Sequence, residues 1–311
     1  MSQPRWQYGS SAISPVSIPR YIYGCFESAP VLTEKLFILN SQDGITWTQA
    51  PVDYIPADSG NGVRDPSIAY NFKTDTIWLV HTNTLAADFK KFSVAVSANH
   101  GRFFYPTTEV DMSAVVSGAN ALVWSPEWAH AEDGSLWLDG TGLPHVFVAA
   151  SSTGTSDTGF QLYEVHPGNV NDWSQPWSVP VQVTGTSLPN NMIDPYPLVD
   201  GATISMWYKN ENTKFVEVMS TTLAALTSGY TIARSGDWAG WGGPLEGMGP
   251  IRMSMNQWRI YLDAQGSGMY YSDSFNNVTG YDAGVPYTAK ALITSPFTVQ
   301  HGTVIARQWN Q

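Results

Sequence analysis

Five short segments recur along the chain, and their spacing restricts the fold more than any other feature. They are Arg64-Asp65-Pro66-Ser67-Ile68, Trp124-Ser125-Pro126-Glu127, Ile193-Asp194-Pro195-Tyr196, Leu245-Glu246-Gly247-Met248 and Gln300-His301-Gly302-Thr303. Each joins small, acidic or turn-forming residues to an apolar stretch. With 65, 125, 194, 246 and 301 as key positions, the intervals are 60, 69, 52 and 55 residues. Units of this size exceed a solenoid coil and suit a propeller blade of four strands.

A second series interleaves with the first. Leu36–Asn40 leads through a polar turn to Trp47, Phe92–Val96 to Phe103, Gln161–Val165 to Trp173, Val216–Met219 to Tyr230, and Met269–Tyr271 to Phe275. Each is a strand, a turn and an aromatic suited to plug the gap between neighbouring sheets. The expected architecture is therefore all-β: a five-bladed β-propeller occupying residues 1–311 as one domain. Only ten residues follow His301. The expected closure pairs this last strand with N-terminal strands near Ile18–Phe26 and Lys35–Asn40, which removes a free sheet edge.

Composition narrows the partners. The net charge of −11 repels phosphate backbones and anionic lipid, so neither nucleic acid nor a membrane surface is expected. No apolar run reaches membrane-spanning length. The first 20 residues show no secretory leader pattern. Charged residues are only 13% of the chain, so solvation falls to Ser, Thr, Asn, Gln and Gly. That balance favours an extracellular or periplasmic setting, and a monomer is expected. The lone Cys25 excludes an internal disulfide framework, and Asn277-Val278-Thr279 is a glycosylation triplet. Cys25 and the histidines show no zinc-ligand spacing.

In a propeller the starts of the innermost strands converge on one mouth. The first series therefore brings together Asp65, Asp194 and Glu246 from three blades. Like charges held close push their pKa values apart, which separates an acid from a base. Cleavage of a sugar acetal needs that pair: an acid for the leaving oxygen and a carboxylate for water or the sugar carbon. Thirteen Trp, 15 Tyr and 12 Phe supply faces for sugar stacking, although blade packing also consumes aromatics.

These segments, in this order over about 240 residues, resemble glycoside hydrolase family 43 and its five-bladed relatives. Ile193-Asp194-Pro195-Tyr196-Pro197-Leu198 followed by Tyr208-Lys209, and His301-Gly302-Thr303-Val304, belong to the same pattern. The resemblance implies that Asp65 is the general base, Glu246 the general acid, and Asp194 the residue that tunes and positions the acid. It implies inversion at the anomeric carbon, and arabinofuranosides or xylosides as substrates. It also implies a cation near the axis, calcium or another, held by His301 or its waters, although no cofactor is required for the chemistry; the alternative for His301 is a hydrogen-bonded channel residue. Arg64, Trp124, Glu127 and Trp241 are expected to contact the sugar; the alternatives are that Arg64 orients Asp65 or pairs with a carboxylate on the channel wall, and that the Trp241 loop is a turn with no ligand role. Two features depart from the pattern. Met248 and Gly249 separate Gly247 from Pro250, and Leu138–Pro144 reads as an inserted loop. The competing readings are a retaining fructan-type glycosidase, for which Arg64-Asp65-Pro66 falls in the wrong blade, and a carbohydrate-binding propeller without catalysis. A sialidase is suggested only by the single turn Ser41–Trp47.

Overall fold

The computed structural model describes residues 19–306 apart from 28–33, 59, 61, 86–88, 119, 154–158, 175, 266 and 276–286. The triplet at Asn277 lies outside the described residues. Within them the chain is all-β in a propeller arrangement, with one 3-10 turn at Leu223–Ala225. No described helix is long and apolar enough to cross a membrane.

Among the described residues the strands form five sheets. In the first, Val63–Asn71, Thr76–Asn83, Lys91–Ser97 and Phe103–Asp111 run as an antiparallel meander, with Asp53–Tyr54 added at the outer edge. The second comprises Leu122–Trp128, Val146–Ser151, Gln161–Val165 and Val181–Gln182. The third is built on Met192–Asp200, Thr203–Asn210, Phe215–Thr222 and Tyr230–Arg234, with short flanking strands at each side. The fourth contains Glu246–Ser254, Gln257–Asp263, Met269–Ser274 and Ala291–Leu292. The fifth mixes the two ends of the chain: Gln300–Ala306 pairs with Tyr21–Phe26, which pairs with Leu36–Ser41 and then Thr48–Ala50.

Five apolar clusters hold these sheets face to face. Ala69, Val80 and Val94 of the first sheet meet Val123, Trp128 and Val148 of the second. Phe147 and Leu162 meet Met192 and Met206. Leu198 and Trp207 meet Ile260 and Leu262. Tyr261 and Met269 meet Tyr21, Tyr23 and Val304. Ile22, Ile38 and Ile305 then meet Ile68 and Leu79 of the first sheet. Successive residues of one strand thus feed opposite clusters, because side chains alternate across a sheet. This two-sided burial explains why Val146–Ser151 and Tyr21–Phe26 are buried along their whole length. Each Val, Leu or Ile buried in this way contributes roughly 1.5–3 kcal/mol.

The expected aromatic plugs are partly realised. Trp47, Trp173 and Tyr230 are buried, and Trp173 packs on Trp78 with ring centroids 3.8 Å apart. Phe103 and Phe275 are not plugs, being 36% and 67% exposed. At the first site the neighbouring Phe104 is buried instead, since a shift of one residue reverses the face a strand side chain takes.

The innermost strands share a local distortion. Asp65, Ser125, Asp194, Gly247 and His301 have φ of 46°, 48°, 52°, 54° and 20°, the left-handed region. At each of these places the pairing with the next strand slips, as in a β-bulge. A bulge bends the strand and re-aims a side chain. The sequence explains the tolerance: Pro66, Pro126 and Pro195 follow three of the five, and proline, with no N–H for the ladder, suits a bulge. Asp and His are also among the residues that enter the left-handed region more readily.

Candidate active site

The bulged positions set the register of the site. The key position of the fourth segment is Gly247, not Glu246, so Glu246 is equivalent to Arg64, Trp124, Ile193 and Gln300. Residues of this outer set line a cavity of about 240 Å³ together with Asp65, Asp194 and His301 of the bulged set. A side chain at 247 would be crowded out, because its Cβ would lie 2.8 Å from the His301 imidazole.

The bulged residues are tied to one another by hydrogen bonds. Thr82 Oγ1 donates to Asp65 Oδ2 at 2.9 Å and accepts from Ser125 N–H at 2.8 Å. Ser125 Oγ donates to Asp194 Oδ1 at 2.6 Å, and Gly247 N–H points to Asp194 Oδ2 at 3.4 Å. His301 N–H donates to Asp263 Oδ2 at 3.0 Å, while its Nδ1 lies 3.3 Å from Asp65 and 4.0 Å from Asp194. Asp65 and Asp194 are both buried, so their directions are fixed from several sheets at once.

Burial alone would strip the proton from His301. The surrounding Asp194, Asp65, Glu246 and Asp263 outweigh it and raise its pKa to about 9. Burial pushes Asp194 up to about 6, against the pull of His301. Asp263 rises to about 7 through burial and the charge of Glu246. Glu246 behaves differently. Burial would raise it, but Lys209 at 2.5 Å, His301 and a 2.8 Å hydrogen bond from Gln265 bring it below the ordinary glutamate value. Lys209 is itself buried and also contacts Glu211 at 2.6 Å.

On the cavity wall the Arg64 guanidinium lies 4.7 Å from the Trp124 ring centroid and 3.3 Å from Glu34. Burial raises the Glu34 carboxyl to about 7 despite the opposing charge of Arg64. Arg64 and Trp124 thus lie against each other on the cavity wall.

Glu127 and Trp241 are not on that wall and need correction. Glu127 lies two residues beyond the bulge, in the same register as Ser67 and Thr303, deeper along the axis. It accepts from the Ser67 hydroxyl, from Thr303 Oγ1 at 3.0 Å, and contacts His130 Nε2 at 2.6 Å. It therefore binds the first, second and fifth sheets together. Trp241 is buried with Trp238 and Tyr287, and its indole N–H donates to Ser272 Oγ at 3.1 Å. Conversely, Lys209, Glu211, Gln265 and Gln300 line the cavity without having been singled out as site residues. Only Lys209 and Gln300 had been quoted, each as part of a motif.

No family model matches the chain, and no curated protein does. Its fold is nevertheless shared with solved structures. An α-L-arabinofuranosidase from Lactobacillus brevis is 15% identical, with 74% of this chain and 72% of that one covered and a TM-score of 0.51. A family 43 glycoside hydrolase from Xanthomonas citri, solved with xylotriose, is 13% identical over 77% of each chain, with a TM-score of 0.53. An exo-β-1,3-galactanase from Phanerochaete chrysosporium is 8% identical, covering 78% of this chain and 53% of that one, with a TM-score of 0.52. At these identities the likeness is one of fold, and it defines the class as propellers of this kind.

Proposed function

We propose that this protein is a glycoside hydrolase that cleaves with inversion and acts on arabinofuranosides or xylosides. The observation that carries the reading is the convergence of Asp65, Asp194 and Glu246 from three sheets on one cavity whose wall also carries Arg64 and Trp124. Three carboxylates gathered this way cost repulsion and desolvation, which a purely structural site rarely sustains. The named activities of the structural neighbours are consistent with it and supply the sugar class.

In this reading Asp65 takes a proton from a water whose oxygen attacks the anomeric carbon. Glu246 gives its proton to the departing glycosidic oxygen as the C–O bond breaks. Asp194 holds Glu246 in place through the Gly247 backbone and raises its proton affinity. Exchange with solvent then returns the proton from Asp65 to Glu246. In this reading His301, with Nδ1 3.3 Å from Asp65 and 4.0 Å from Asp194, orients the two carboxylates. Glu246 must also be protonated to act, so sugar entry has to shift Lys209 from Glu246 towards Glu211. That same Lys209 pairing favours the second reading, a carbohydrate-binding propeller without turnover.

One assay separates these readings. Hydrolysis of aryl α-L-arabinofuranosides and β-D-xylosides is expected, with product NMR showing inversion. Retention would point to the fructan-type mechanism, and binding without hydrolysis to a lectin-like role.

The same proposal includes a ring of five blades closed by the chain ends. Three observations support it. Gln300–Ala306 pairs with Tyr21–Phe26 over six residue pairs, with a shift near Cys25. The fifth apolar cluster joins the last sheet to the first. Gly24 sits so close to Ile68 that a Cβ there would come within 2.7 Å of it. A chain lacking residues 1–40 is therefore expected to lose cooperative melting. If the truncated protein stays soluble and melts sharply, the closure is wrong.

A further inference from the structure

The second sheet carries a cluster that the cavity does not use. His145 directly precedes Val146–Ser151, and Glu164 and His166 lie at the end of the partner strand. Val146 pairs with Val165 and Phe147 with Glu164, so the same register brings His145 opposite His166. Glu164 and His166 are two apart and share one face of their strand. Both imidazole Nδ1 atoms reach the same carboxylate oxygen: His145 at 2.6 Å and His166 at 3.0 Å from Glu164 Oε1. The candidate ligand atoms all lie within 4.8 Å of one another.

We propose that His145, Glu164 and His166 form a binding site for a zinc-type divalent ion. Two imidazoles and one carboxylate are a borderline donor set that suits zinc and its neighbours, and not calcium or magnesium. A metal would replace the hydrogens now shared with Glu164, with bonds of about 2.0–2.2 Å that need only small side-chain shifts.

A second carboxylate stands behind the cluster. Asp139 Oδ2 lies 3.4 Å from His145 Nε2, the ring nitrogen that faces away from Glu164. Its other oxygen, Oδ1, is occupied by Thr141 N–H at 2.8 Å, Thr141 Oγ1 at 2.7 Å and Leu143 N–H at 2.9 Å. Asp139 is thereby fixed as an orienting partner for a metal-bound imidazole, an arrangement that fixes the tautomer and strengthens the ligand. This gives the Leu138–Pro144 insertion a role: it delivers the outer carboxylate. His145 and Glu164 are buried, whereas the His166 side chain is 32% exposed, leaving an entry path and an open position for water. None of these residues lines the cavity with Asp65 and Glu246.

The test uses untagged full-length protein stripped with a chelator and titrated with Zn(II) by calorimetry, with Mg(II) and Ca(II) as comparison ions. One Zn(II) per chain and a higher melting temperature with zinc alone are expected. His166→Ala, at the accessible ligand, should remove both effects while the apo protein melts as the parent does. Asp139→Asn should weaken binding about 10–100-fold. Absence of zinc binding by the parent protein, or equal binding by His166→Ala, overturns the proposal. Because the site is remote from the cavity, loss of zinc in His166→Ala should leave glycoside turnover unchanged, so this result is independent of the activity assay.

Discussion

Glu246→Gln is expected to lower hydrolysis of natural glycosides by roughly 10²–10⁴-fold, the usual worth of general acid catalysis. Aryl glycosides with good leaving groups need less protonation and should lose much less. Asp65→Asn should damage both substrates alike, because water must be activated whatever group departs. Asp194→Asn should follow the acid variant. It removes a negative neighbour of Glu246, lowers the proton affinity of the acid, and moves the alkaline limb of the pH–rate profile downward. Steady-state kinetics on the paired substrates decides the matter. If Glu246→Gln keeps activity on natural glycosides within a few-fold of the parent, Glu246 is not the acid.

Lys209→Met is expected to be the most destabilising single change at the site. Lys209 sits between Glu211 and Glu246, and the Lys209 and Glu211 side chains are only 2% and 4% exposed. Among the described residues, removing Lys209 leaves Glu246 only Gln265 and Glu211 only Lys214 as direct partners, so part of the roughly 3–5 kcal/mol of a broken buried ion pair is lost. Urea unfolding should show a clear fall in midpoint, and adding Glu211→Gln should restore part of it. The pH dependence has a definite sign. Glu246 has a folded-state pKa below the ordinary glutamate value of 4.5. Its share of the stabilisation is present above 4.5 and disappears as pH falls through the lower folded value. In Lys209→Met that acid-side loss should flatten. Unchanged urea midpoints would mean that the pairing is not what holds Lys209 in place.

Much of this arrangement was legible in the sequence, and for identifiable reasons. Asp65 and Asp194 stand out because proline follows each, marking the bulge that aims them. Glu246 was found one residue out of register. The fourth segment has glycine where the others have a side chain, and the acidic residue beside it masked the shift. Lys209, Glu211 and Gln265 were hidden because they come from second strands and their connections. Strand register, not local sequence, carries them to the mouth. Glu127 and Trp241 failed for the opposite reason. Their neighbourhood in sequence is the site, but the rise of the strand carries one down the axis and blade packing captures the other. The His145–Glu164–His166 cluster was opaque because intervals of 19 and 2 residues form no local ligand motif until two strands pair.

The left-handed bulge shared by all five inner strands separates the path of the chain from the identity of the residue that occupies it. Asp, Ser, Gly and His each sit at that position here, with φ spanning only 20° to 54°. These bulges therefore behave as equivalent outlets on one socket board. Backbone geometry sets where a group is presented, and the single residue plugged in sets whether it is an acid, a hydroxyl, a cation or an empty space. New chemistry in such a molecule can arise from exchanging occupants at one outlet, within the set of residues that accept positive φ, while the sheets around it keep their packing.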